Sequence, residues 1–155
     1  MGVIKIASQE IHPMLVRLLY ASRCNNVTPG LIESILASAR KKNTALGLTG
    51  LLCHSGDIFL QVLEGGRTAV NTMYHTIARD PRHNELCLLH YEQISERRFS
   101  SWAMGHLNLS KSNIALLLKY GEKPQLDPYT VSGRASLSML EELIASAQSG
   151  NGREN

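Results

Sequence analysis

The chain switches between two periods of apolar and polar positions, and each switch marks an element. Met14 to Ser22 is a β-favouring run with one charge, Arg17, and reads as a strand. Thr28 and Pro29 then supply an N-cap and a first helical position. Leu31, Ile32, Ile35, Leu36 and Ala39 follow at helical spacing and make one apolar stripe. Gly47 breaks that helix, and Leu48 to His54 returns as a strand. Ser55-Gly56-Asp57 is a hairpin loop, and Ile58 to Glu64 is the third strand, ended by Gly65-Gly66. A second helix from Arg67 to Arg79 sets Val70, Met73, Tyr74 and Ile77 on one face. Asp80-Pro81 closes it, because proline biases the preceding residue away from the helical region. Leu86 to Ile94 is a fourth strand. After the charged turn Glu96-Arg97-Arg98, a fifth strand is expected over Trp102 to Leu109, with Trp102 and Met104 on one face.

This order predicts an α+β fold, a ferredoxin-like βαββαββ sandwich with a five-stranded mixed sheet and two helices on one face. Beyond Ser110 the pattern changes. Ile114 to Tyr120 reads as a helix stopped by Gly121, and Glu122 to Gly133 as a polar connector. Ser138-Met139-Leu140-Glu141 resembles a capping box opening a last short helix. The expected division is an N-terminal extension over 1–13, a core domain over 14–110, a C-terminal helical extension over 111–148 and a disordered tail over 149–155. The two C-terminal helices are expected on the sheet face away from the first pair.

Composition narrows the function classes. The 155 residues are 43% hydrophobic, enough for one domain with a core. The net charge of +3 is spread along the chain, and Arg40-Lys41-Lys42 suits the negative end of a helix dipole. That distribution, and a 5% aromatic content, argue against nucleic acid as a partner. No apolar run approaches the roughly 18–20 residues of a membrane span. Gln9, Glu10 and His12 interrupt any signal-peptide pattern. Cys24, Cys53 and Cys87 are odd in number and far apart, which favours a reduced, cytoplasmic protein. The six histidines have no metal-ligand spacing, so no metal site is expected. Cys53 and His54 are neighbours on a strand and point to opposite faces, against a catalytic dyad.

Gln61 is the most informative residue. It shares a strand face with Phe59 and Leu63, while Ile58, Leu60 and Val62 face the other way. Neither orientation delivers its amide to water, and an unpartnered buried amide costs a few kcal/mol. Three other features accompany it: Tyr20 near the end of the first strand, Asn43 at the end of the first helix, and the Trp102/Met104 pair. Taken singly, Tyr20 reads as a core tyrosine, Asn43 as a helix C-terminal residue, and Trp102 and Met104 as core.

Jointly they closely resemble the BLUF family of blue-light sensors. The resemblance runs from about Leu15 to Ser110. It rests on Leu46 to Leu52 (LGLTGLL), Phe59 to Gly65 (FLQVLEG), Asp80-Pro81-Arg82-His83 and Glu96-Arg97-Arg98-Phe99. It implies a non-covalent FAD between the two helices, with FMN or riboflavin left open. By matched position Tyr20 gives an electron and a proton to the excited flavin, Gln61 bridges Tyr20 and the flavin edge, and Asn43 bonds the ring. Trp102 and Met104 are implied in signalling. Asp80, Arg82 and His83 are matched to the ribityl and phosphate end, and Lys42 to a phosphate or to the solvated helix end. Thr76 stands where some relatives are basic. The resemblance further implies a stand-alone photoreceptor rather than an enzyme, a downstream effector in trans and a homo-oligomer. The alternatives are a ferredoxin-like ligand- or protein-binding module without photochemistry, and a flavin enzyme, for which no proton- or hydride-transfer residue stands out.

Overall fold

A computed structural model describes residues 14–109 and 113–151. The N-terminal extension expected over 1–13, and residues 152–155 of the expected tail, lie outside the described residues. The elements run β1 (Leu15–Arg23), α1 (Pro29–Leu46), β2 (Thr49–Ser55), β3 (Ile58–Gly66), α2 (Arg67–Ala78), β4 (Asn84–Ile94), β5 (Gly105–Asn108), α3 (Ile114–Tyr120) and α4 (Gly133–Asn151). The sheet order is β4-β1-β3-β2-β5. β1 is antiparallel to both β3 and β4, β2 is antiparallel to β3, and β5 is parallel to β2. This is the expected ferredoxin-like arrangement with a mixed fifth strand.

Local chemistry fixes α1. The Thr28 side chain accepts a hydrogen bond from the Leu31 amide at 3.1 Å. Gly47 at φ 69° ends the helix in the left-handed region, which a residue without Cβ adopts freely. The Leu48 amide then returns to the Asn43 carbonyl at 2.8 Å, so the helix end is tied down at the residue that carries a candidate side chain.

Strand alternation divides the apolar residues between two cores. Val16, Leu18, Tyr20, Leu52, Phe59 and Leu63 meet Ile32, Ile35 and Leu36 of α1 and Val70 and Met73 of α2. Leu19, Leu51, Leu60 and Val62 meet Leu117 of α3 and Leu137, Leu140 and Leu143 of α4. The central strands are buried on both faces, which is why they read as nearly unbroken apolar runs. Arg17, the charge noted in β1, is only 2% exposed. Its Nε donates to Glu64 Oε2 at 2.7 Å, and its Nη1 pairs with Glu92. Glu64 also accepts from the backbone amides of Arg98 at 3.0 Å and Phe99 at 2.6 Å.

Two expectations are corrected. First, Trp102 and Met104 do not lie on a strand, because β5 begins at Gly105. They share no face either: Trp102 packs with the core under α3 and α4, and Met104 with the core under α1 and α2. The approach to β5 is fixed by distant groups, Glu64 gripping the Arg98 and Phe99 amides and the Gly50 amide donating to the Trp102 carbonyl at 3.1 Å. Second, the last helix starts at Gly133 rather than at Ser138, and it is long. The Ser132 hydroxyl accepts from the Ala135 amide at 3.1 Å and acts as its cap. Gly133 is needed there, since a Cβ at that position would stand 2.0 Å from the Leu89 carbonyl oxygen. The helix also reaches Asn151, so residues 149–151 are helical where a tail was expected.

Candidate functional site

Tyr20 of β1 and Gln61 of β3 are direct partners across the antiparallel pair, and Leu52 of β2 faces Gln61 from the other side. Opposed residues on one sheet face come within about 5 Å at Cβ, so the phenol and the amide are neighbours by register alone. Over them runs a cleft between α1 and α2, lined by Tyr20, Lys42, Asn43, Gln61, Asp80, Arg82 and His83, with Ile35, Ala39, Met73 and Ile77 as apolar walls. All seven residues matched to the cofactor therefore meet in one place.

Two buried polar atoms in this cleft are orphans. The Tyr20 hydroxyl and Asn43 Oδ1 have no hydrogen-bond partner among the described residues. Burial pushes the Tyr20 phenol well above its ordinary value of 10.0, with smaller contributions in the same direction from Cys24, Tyr74 and Asp80. The hydroxyl therefore stays protonated and offers a donor. Its ring stands edge-on to Tyr74, with centroids 5.7 Å apart. The other end of the Asn43 amide is used, Nδ2 donating to the Ala103 carbonyl at 2.6 Å. Gln61 Nε2 donates only to Met104 Sδ, at 3.4 Å, and a thioether is a weak acceptor. An unmatched donor and acceptor facing an apolar cleft call for a flat ligand with polar groups along one edge. The isoalloxazine edge, with its N3–H donor and its C4 carbonyl and N5 acceptors, meets that requirement.

The mouth of the cleft is charged. Arg82 Nε reaches Asp80 Oδ1 at 3.1 Å and Oδ2 at 3.0 Å, and Nη2 reaches Oδ2 at 2.7 Å. Hydrogen bonds from Arg82 hold the Asp80 carboxyl below its usual value, outweighing partial burial. His83 sits beneath, its Nδ1 3.0 Å from Ser22 Oγ and its ring edge-on to Phe59. Lys42 is exposed at the helix end. The Thr76 hydroxyl turns back to the Thr72 carbonyl at 3.0 Å, so α2 offers no cation at this point. One residue escaped the sequence reading. Arg40 Nε donates to the Met104 carbonyl at 3.0 Å, where the sequence suggested only a charge at a helix end.

A histidine pair lies across β2 and β5, with His54 Nδ1 2.9 Å from His106 Nε2. Burial lowers His54, His83 and His106 below their ordinary 6.5; His106 further lowers His54, and Arg40 further lowers His106. Such a histidine is protonated first in the unfolded chain, so its contribution to stability is complete above 6.5 and is lost as pH falls below it. The melting temperature is expected to be flat from about pH 8 to pH 7 and to decline from about pH 6.5 to pH 5. A melting temperature rising over the lower interval would contradict these neutral, buried imidazoles.

The sheet thus presents a phenol and an amide side by side to a cleft between two helices. The family profile described as BLUF, sensors of blue-light using FAD, matches residues 15–105. The chain belongs to the BLUF family. It is 33% identical over 92 residues to photoactivated adenylate cyclase subunit beta of Euglena gracilis, covering 58% of this chain and 11% of that protein. It is 34% identical over 92 residues to the blue light- and temperature-regulated antirepressor BluF of Escherichia coli (strain K12), covering 59% of this chain and 23% of that one. The chain thus spans a small part of the length of these curated relatives. Among solved structures, the dark state of the BLUF protein BlrB superposes with a TM-score of 0.73 at 32% identity, covering 87% of this chain and 98% of that chain. No helix among the described residues is long and apolar enough to cross a membrane.

Proposed function

We propose that this chain is a blue-light photoreceptor that holds FAD between α1 and α2 and signals by rearranging the hydrogen bonds of Gln61, without substrate turnover. The observation that carries the reading is the Tyr20–Gln61 register pair beneath a cleft in which the Tyr20 hydroxyl and Asn43 Oδ1 lack partners. When bound, the flavin supplies an excited-state oxidant. Tyr20 is the donor: a phenol gives up an electron readily, and a hydroxyl held protonated by burial can release its proton with it. Gln61 is the relay, because a primary amide carries both donors and an acceptor and can exchange them by rotating or tautomerising. Asn43 Oδ1 fixes the ring edge. Asp80, Arg82, His83 and Lys42 flank the ribityl and phosphate end. A rotated Gln61 loses its bond to Met104 Sδ, and the change passes through the Trp102–Met104 segment toward α3 and α4. From there it reaches a downstream effector in trans or alters a homo-oligomer. Three free cysteines, none in a disulfide, support a cytoplasmic setting.

The test is an absorption spectrum of the purified protein in the dark and immediately after blue light. A flavin band that shifts red and returns in the dark is expected. Bleaching alone would indicate redox chemistry of the enzyme kind. A colourless protein that takes up no added FAD would leave the binding-module alternative. Asn43→Ala is expected to weaken flavin binding about tenfold, the loss of one or two good hydrogen bonds. Titration of flavin fluorescence with FAD, FMN and riboflavin measures this and ranks the three flavins; unchanged affinity would remove Asn43 from the ring contact.

A further inference from the structure

The backbone from Trp102 to Met104 is irregular, yet each of its carbonyls is held. The Trp102 carbonyl accepts from the Gly50 amide at 3.1 Å, the Ala103 carbonyl from Asn43 Nδ2 at 2.6 Å, and the Met104 carbonyl from Arg40 Nε at 3.0 Å. Arg40 and Asn43 are three apart on α1, so they leave the helix on the same side and grip consecutive residues of the segment. The Met104 side chain meanwhile reaches Gln61.

These contacts differ in kind. Asn43 and Gln61 each face two ways, toward the cleft and toward the segment, so both change their surroundings when a ligand is bound or switched. Arg40 lines no part of that cleft; its guanidinium donates to the Met104 carbonyl and its charge also faces His106. Its hydrogen bond is charge-assisted and therefore stronger than a neutral one. It acts on the residue whose sulfur is the acceptor for Gln61.

We infer that Arg40 is a positioning residue: it latches the Met104 backbone so that Sδ stays against Gln61, and thereby sets how fast the switched state relaxes. The timing role rests on the photoreceptor reading; the latch does not. With the latch in place, Met104 can yield only by moving its side chain, and Gln61 must pass a fixed neighbour to return. Without it the whole residue moves, and the barrier to return falls.

The experiment compares wild type with Arg40→Ala, Arg40→Lys and the exposed neighbour variant Lys41→Ala. Amide hydrogen exchange is followed in flavin-free and FAD-loaded protein, with Trp102, the only tryptophan of the chain, as a fluorescent reporter. Arg40→Ala is expected to raise exchange at Ala103, Met104 and Gly105 about tenfold, as for the loss of one hydrogen bond to a charged group. It should shift Trp102 emission and speed dark recovery severalfold, while protection of β1 and β3 holds. Arg40→Lys should fall between, because a lysine ammonium does not reproduce the planar guanidinium. Lys41→Ala should match wild type. Wild-type exchange in Arg40→Ala, or loosening spread along the whole of α1, would overturn the latch. A wild-type protein without a light-driven red shift would instead overturn the photoreceptor reading and the timing role, with flavin-free exchange still deciding the latch.

Discussion

Gln61→Leu is expected to keep the flavin and lose the photocycle entirely. Leucine matches the volume of the glutamine stem and suits a position only 6% exposed among Phe59, Leu63 and Leu52. The lost amide makes one bond, to a thioether, so stability should change little: swapping a weakly satisfied polar group for an apolar one of similar shape is nearly neutral. What disappears, on the proposed mechanism, is the amide that would bridge the Tyr20 phenol and the flavin edge. Without it no hydrogen bond can be exchanged, and the red-shifted state has no structural basis. Tyr20→Phe should give the same outcome by removing the donor, with the ring packing against Tyr74 kept. Difference spectra after blue light, set beside flavin content, provide the check. A normal, reversible red shift in either variant would refute the assignment of these two residues.

Glu64→Ala is expected to cost about 3–5 kcal/mol of stability, the range for breaking a buried ion pair from one side. Glu64 is fully buried beneath α3 and α4. Its removal leaves the Arg17 guanidinium without its main counter-charge and the Arg98 and Phe99 amides without their acceptor. Against a typical total of roughly 5–15 kcal/mol this is a large loss. Arg17 retains Glu92 at the sheet margin, so a double variant Arg17→Met/Glu64→Leu should lose less than Glu64→Ala alone. Denaturant unfolding gives the comparison, and a loss under about 1 kcal/mol for the single variant would show that the pair is not structurally critical. The flavin cleft lies on the opposite face, so affinity for FAD should fall less than stability does.

The contrast between Gln61 and Glu64 shows what the sequence makes legible. Both sit on β3, and the two periods of the chain predicted the strand and its faces. Gln61 stood out because apolar residues flank it on both faces. Glu64 looked like an ordinary polar end to the strand, since its partners are 34, 35 and 47 positions away. For the same reason the segment before β5 was read as strand: its conformation comes from Glu64, Gly50, Asn43 and Arg40, and local propensity carries no trace of them. Gly133 misled in another way. A glycine in a polar stretch reads as a break, whereas here it lets the start of α4 approach the Leu89 carbonyl. That these residues belong together was legible through the family resemblance, and the structure brings them into one cleft; the Arg40 contact depends on tertiary geometry alone.

The outer rim at β4 has a consequence for how copies of this chain can meet. Opposite β1 the ladder of β4 slips twice, between Leu19 and Tyr20 and between Ala21 and Arg23, and Glu85 adopts φ 50° near its start. A strand so bent and twisted does not offer the long, flat row of amides and carbonyls that another chain needs in order to zip on. An irregular rim of this kind is a poor template for strand addition of the amyloid kind, and Leu88 and Tyr91 are the large apolar side chains it exposes.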